Sequence, residues 1–341
     1  MDSQVVFLVG APRSGTTMLE RIIASHSQVM GGPEPHLLTP LAHLGVWANV
    51  DKAPYDHIVA GIGQKDFIAS LPGKEKDYWQ ACHCYAQHLY NCATGFNENT
   101  LYLDKTPEYA TVWPFMKKVF PKAKYIVLSR HPAAVFSSFA NSFFEGNYAL
   151  TQQHEPLFER YIPSIASLLR DPDLDIFHLR YEDLVSDSEN LTRQLCGFLN
   201  IAFESEMLNL NASKTTQGLG DPIGIKKYKG LSTQSIERWA TEIAEDSDKY
   251  QFLRQQLSKI PNSDLAIYGY AAETLWQPVE DVFVSQNTES RRKGNHSARW
   301  TSYKLQRKAI ITLRNAAQHS LFFRHSLNKL RLACDVLLRE Y

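Results

Sequence analysis

Apolar positions in this chain fall in short unbroken runs separated by amphipathic stretches. Residues 5–9, VVFLV, offer no polar position to face water. That predicts a parallel strand buried on both faces. Thr17–Ser27 then sets Met18, Leu19, Ile22 and Ile23 along one side of a helix. Further strands are predicted at Leu101–Leu103, Tyr125–Ser129 and Asp175–Leu179. Further helices are predicted over Tyr78–Thr94, Val112–Val119, Ala133–Asn141, Leu157–Leu169, Leu191–Leu199 and Ser232–Ile243. Residues 28–75 read as short helices broken by Gly and Pro, and Gly218–Gly230 (GLGDPIGIKKYKG) reads as a loop. Strands alternating with helices point to an α/β fold, a parallel sheet flanked by helices.

The pattern changes near the end. Around Val282–Asn295 the chain turns polar, ending in SRRKGN, and Arg299–Glu340 regains helical spacing. The expected organisation is a domain over 1–275, a linker over 276–298 and a basic helical extension over 299–341. Charge separates the same parts. The whole chain has 36 basic and 36 acidic residues, yet residues 291–341 hold 12 Lys/Arg against two acids. Residues 1–290 are left with 24 basic and 34 acidic, which argues against a nucleic-acid groove. The extension suits an acidic partner, an anionic membrane surface, or the acidic body of its own chain or a dimer mate.

Five cysteines in 341 residues do not form a disulfide framework. Cys82, Cys84 and Cys92 lie near His83 and His88, but the spacing is not that of a zinc site; a helix with buried thiols is expected. No signal peptide is read before the first strand and no apolar run is long enough to span a bilayer. The expectation is a soluble cytoplasmic protein, in which the sequons at Asn190 and Asn211 have no consequence.

Candidate chemistry begins where the first strand stops. GAPRSGTT places four residues between Gly10 and Gly15 with hydroxyls following, as in a phosphate-binding loop, but Thr16 stands where the loop's lysine belongs. Without that lysine the loop still offers backbone N–H groups and a helix N-terminus to an anion. It lacks the reach and the metal logic for a triphosphate. Arg13, after Pro12, can instead fork onto the oxygens of a short 5′-anhydride. A glycine-rich turn after a strand also occurs for purely structural reasons. A second piece, SRHPAAVFSSF, carries Arg130 at a strand end and Ser138 on the next helix, a pair suited to a monophosphate.

PRSGTT after the first strand, followed in order by Arg130 and Ser138 after a later one, resembles the sulfotransferases that use 3′-phosphoadenosine 5′-phosphosulfate (PAPS). The resemblance covers about residues 5–270. It implies a P-loop-like α/β fold and transfer of a sulfuryl group without a metal. Arg13, Ser14, Gly15, Thr16 and Thr17 would then form the 5′-phosphosulfate loop. Arg130 and Ser138 would form the 3′-phosphate site, and LRYEDLV would bring Tyr181 near the adenine. Lys105, in DKTPEY, corresponds to a family lysine at the bridging oxygen. GGPEPHLL is similar to the branch with a glutamate base, which includes tyrosylprotein and bacterial polyketide-pathway enzymes, and makes Glu34 the base, with His36 second. Of Lys226, Lys227 and Lys229, the resemblance favours Lys227 and Lys229 as cofactor contacts. Trp239 either covers the adenine or lies in the core. The acceptor is expected to be a small-molecule or carrier-tethered hydroxyl, such as a β-hydroxyacyl chain. The reading from another class is a P-loop nucleotide-binding protein or nucleotide kinase, which would want ATP and Mg²⁺.

Overall fold

The first apolar run forms β1 (Val5–Val9), the middle strand of a five-stranded parallel sheet in the order β2-β3-β1-β4-β5. The other strands are β2 (Val29–Gly31), β3 (Leu101–Lys105), β4 (Lys124–Ser129) and β5 (Asp175–Arg180), and β1 pairs directly with β3 and β4. The computed structural model describes residues 5–31, 34, 38–42, 57–209 and 234–286. All of them belong to the first of two compact units, Met1–Thr288; the second, Glu289–Tyr341, and with it the expected basic extension, lies outside the described residues.

Strand alternation sorts the core into two layers. Val5, Phe7, Val9, Tyr125 and Val127 point to one side; Val6, Leu8, Leu103, Ile126 and Leu128 point to the other. With helices on both faces every position of β1 is buried, so its run carries no polar alternation; exposure returns only toward the sheet edges, at Met30 in β2 and Asp175 in β5. In chain order the helices are α1 (Thr16–Ala24), α2 (Leu38–Ala42), α3 (His57–Ser70), α4 (Glu75–Ala93), α5 (Tyr109–Val119), α6 (Pro132–Phe143), α7 (Tyr148–His154), α8 (Leu157–Leu169), α9 (Tyr181–Ser186) and α10 (Ser188–Leu199). Helices over Gln234–Ala244, Ser247–Leu257, Asn262–Tyr268 and Gln277–Gln286 follow. The first layer takes residues of α4, α5, α6, α8 and these later helices; the second takes residues of α1, α9 and α10.

Several elements differ from the sequence expectation. β3 runs on through Asp104 and Lys105, which are buried strand residues. β5 runs one residue beyond the expected Leu179, to Arg180, and Tyr181 opens a short helix, α9, that the sequence expectation did not include. The helix Gln277–Gln286 occupies the start of the expected linker, held by the fully buried Val279. On α4 the buried stripe is Cys82, Ala86 and Tyr90 at helical spacing, so Cys84 and Cys92 face outward and only one of the three thiols is buried. Among the described residues no His/Cys/Asp/Glu group is arranged to hold a metal, and no helix is long and apolar enough to cross a membrane.

Candidate active site

The C-terminal ends of parallel strands converge on one edge of such a sheet, and ligands bind there. β1 ends in the loop Gly10–Gly15, which closes through Ser14 N–H donating to Ala11 O at 3.1 Å. The loop needs two left-handed residues, Arg13 at φ 69° and Gly15 at φ 101°. A Cβ on Gly15 would stand 2.5 Å from the Tyr181 ring, so only glycine satisfies both the turn and the aromatic neighbour. Gly15 caps α1 without a side-chain hydrogen bond, and the first turn holds no acid. The N–H groups and positive dipole end of α1 are therefore not met by a capping side chain or a first-turn carboxylate of that helix.

Two arginines meet over this loop. Arg130 leaves β4, donates from Nη1 to Arg13 O at 3.1 Å, and lies 4.4 Å from the centre of the Tyr181 ring. Arg13 Nε donates to Ser138 Oγ on α6 at 3.4 Å. The turn that presents Arg130 is pinned by its neighbour. His131 donates from Nε2 to Leu275 O at 2.8 Å, and its backbone N–H donates to Glu182 Oε1 at 3.1 Å. Glu182 also accepts the Tyr270 hydroxyl. Burial pushes the His131 imidazole down to about 4, so it stays neutral beside Arg130.

The third strand end brings the other half of the chemistry. The β1–β3 register sets Lys105 level with Leu8, two residues before the loop begins. Lys105 is 1% exposed, and its Nζ lies 2.5 Å from Glu34 Oε1 and 3.3 Å from Glu20 Oε2. Glu20 comes from α1. Burial raises its pKa above the usual carboxylate range, with Lys105 opposing the rise and the Glu34 charge adding to it. One ammonium is thus shared by two carboxylates at a strand end next to the loop that follows β1.

The same region of the chain carries a family match. Residues 5–205 match the Sulfotransferase family, from β1 to the turn after α10. The chain belongs to the sulfotransferase family. It is 27% identical over 270 residues to the nodulation protein NoeE of Sinorhizobium fredii, covering 70% of this chain and 60% of that protein. It is 23% identical over 265 residues to protein-tyrosine sulfotransferase 1 of Danio rerio, covering 76% and 67%. The alignments span less than two thirds of the nodulation protein, and 34% of an uncharacterized Aquifex aeolicus protein that is 23% identical. A similar fold is found in the sulfotransferase domain of the Synechococcus PCC 7002 olefin synthase, with a TM-score of 0.51 and 23% identity over 75% of this chain and 95% of that one.

In this sulfotransferase-family chain, Arg13, Gly15, Arg130, Ser138 and Tyr181 come together, and Lys105 meets Glu34. Ser14 and Thr16 are buried in the same loop. Lys226, Lys227, Lys229 and His36 lie outside the described residues. Trp239 is buried and stacks on the His131 ring at 4.1 Å, which places it in the core rather than over an open base site. The sequence reading passed over Glu20. The signal was present: Thr16, Leu19, Glu20 and Ile23 share one helical face, and a carboxylate inside an apolar stripe calls for a partner.

It also passed over a support behind the Glu34 segment. Leu38 N–H donates to Tyr109 Oη at 3.1 Å, Tyr109 donates to Asp104 Oδ2 at 2.9 Å, and Tyr90 donates to the same oxygen at 2.6 Å. Asp104 is fully buried, and burial pushes its pKa up to about 7 against the two tyrosine hydrogen bonds and Lys105. Its folded value lies above its unfolded value, so its stabilising contribution is full below about pH 4 and is lost as pH rises through about 7. The melting temperature of the wild type should therefore fall from pH 5 to pH 8 by more than that of Asp104→Asn. Equal slopes in thermal melts would remove Asp104 as the source.

Proposed function

We propose that the chain transfers a sulfuryl group from PAPS to a hydroxyl acceptor, without a metal ion. The observation that carries this is the Lys105–Glu34 pair, at 2.5 Å, standing beside an anion-binding loop that lacks the lysine of a nucleotide triphosphatase. A base and a leaving-group cation are the two groups an in-line displacement on a sulfuryl centre needs.

The residues present fit the donor. The α1 N-terminus, whose cap residue Gly15 has no side chain to bond it, and Arg13 suit its 5′ end, and Arg130 and Ser138 suit a separate 3′-phosphate. Tyr181, which the family resemblance sets near the adenine, is buried under the Arg130 guanidinium and against Gly15, so it shapes the wall of the donor site. The donor supplies an activated sulfur–oxygen bond to a phosphate leaving group. Glu34 accepts the acceptor's hydroxyl proton as the acceptor oxygen bonds to sulfur. Lys105 and Arg13 hold the negative charge that gathers on the leaving oxygen when the old sulfur–oxygen bond breaks. The products are the sulfate ester and 3′,5′-ADP. The acceptor is proposed at the level of its chemistry, a small-molecule or carrier-tethered hydroxyl.

Calorimetric titration with 3′,5′-ADP tests the donor site. Binding is expected to be the same with and without EDTA. Arg130→Ala should weaken it about 10- to 100-fold, the loss of a charge-assisted contact. Binding of ATP that depends on Mg²⁺, with none of 3′,5′-ADP, would instead favour a nucleotide kinase. A screen of hydroxylated acceptors with labelled PAPS then tests transfer.

A further inference from the structure

Lys105 is a single buried cation between two carboxylates that reach it from different parts of the fold. Glu34 lies beyond β2 and its side chain is 17% exposed, so it is partly open to solvent. Glu20 sits on the inner face of α1, five residues from the loop glycine, on a rigid element. Nothing in the loop's packing requires a charge at position 20, whose helical neighbours on that face are Thr16, Leu19 and Ile23. An apolar residue there would pack more cheaply than a carboxylate.

We propose that Glu20 is a positioning residue for the transfer reaction, holding part of the Lys105 charge so that Glu34 keeps its capacity to take a proton. The inference rests on the sulfotransferase reading above and adds a residue to it. The physical logic is charge sharing. If Lys105 paired with Glu34 alone, protonating Glu34 would break the whole ion pair, and Lys105 would be held back from the leaving oxygen. With Glu20 as a second partner, the ammonium stays compensated while it shifts. The charged and titratable groups that act on this cluster are Lys105, Asp104 and Tyr102 from β3, Glu34 from beyond β2, and Arg21 on α1 itself.

Glu20→Gln tests it, because the amide keeps the shape and one acceptor oxygen while removing the charge. Two opposite effects are expected. Affinity for 3′,5′-ADP should rise roughly tenfold, since a negative charge near an anion site is gone, while kcat falls roughly tenfold. The acid limb of the kcat profile should move to lower pH, because the site has lost one negative charge and its base is protonated less readily. Glu20→Asp, which keeps the charge, should restore the wild-type limb. A structural role for Glu20 predicts something different: affinity and turnover fall together, or neither moves, and the acid limb stays in place. Either of those outcomes overturns the proposal. Should Glu20→Gln fail to fold, a Glu20→Asp acid limb displaced like that of a neutral variant overturns it too. Failure of the parent reading looks different again, since wild-type protein would then neither bind 3′,5′-ADP nor transfer from PAPS.

Discussion

Replacing Glu34 with glutamine is expected to lower kcat by about 100- to 10,000-fold, the range a positioned general base contributes. Binding of 3′,5′-ADP should be retained or tightened, because the change removes a negative charge beside an anion site. Glutamine keeps the side-chain length and an oxygen that can accept from Lys105 Nζ, so the 2.5 Å contact has a neutral replacement. What it cannot do is take a proton. The backbone around position 34 should hold, since Leu38 stays tied to Tyr109 and through it to Asp104. The measurements are calorimetry with 3′,5′-ADP and initial rates with PAPS across pH. The residual rate should lose the acid limb that the carboxylate produces. A variant that turns over within about tenfold of wild type would remove Glu34 from the role of base. His36→Gln would then be the next substitution to make.

Much of the fold was legible because strands buried on both faces leave continuous apolar runs. VVFLV, YIVLS and the loop GAPRSGTT were readable on sight, and so was the order of Arg130 and Ser138 after a later strand. β2 was not, because VMG is three residues long and forms a strand only by pairing with β3. The end of β3 was misread for a related reason. DK looks like a loop start, yet Asp104 accepts from two tyrosines at one oxygen on one face and Lys105 is paired with two glutamates on the other. Partners from distant positions decide whether a charge can be buried, and local periodicity does not report them. Trp239 could be read either as core or as a base cover; its partner, His131, comes from a turn about a hundred residues earlier. Glu20 is the residue that closer attention to the α1 stripe would have found.

Lys105→Met is the substitution expected to cost most, because it should damage stability and rate together. Methionine has similar length and fits a site that is 1% exposed, but it leaves Glu20 and Glu34 without their shared cation. Removing one member of a buried ion pair costs about 3–5 kcal/mol when the remaining charge stays buried. The cost here should lie toward about 2–3 kcal/mol, since Glu34 is partly exposed and Glu20 can take up a proton. That uptake gives the loss a pH dependence. Glu20 already has a folded pKa above its unfolded value, and without Lys105 it should rise further. The variant should therefore be closest to wild type in acid and lose ground as pH rises. Turnover should fall about 100- to 1,000-fold, the effect of deleting one group that stabilises developing charge. Adding Glu20→Gln to Lys105→Met separates the two losses. The double variant should recover part of the stability, because one unpaired carboxylate is gone, and none of the rate, because the leaving oxygen still lacks its cation. Denaturant unfolding at pH 6 and pH 8, with rates from the same samples, reads both quantities. Were Lys105→Met to unfold like wild type at both pH values, the shared ammonium would not exist in solution, and the Glu20–Lys105–Glu34 assembly would have to be abandoned.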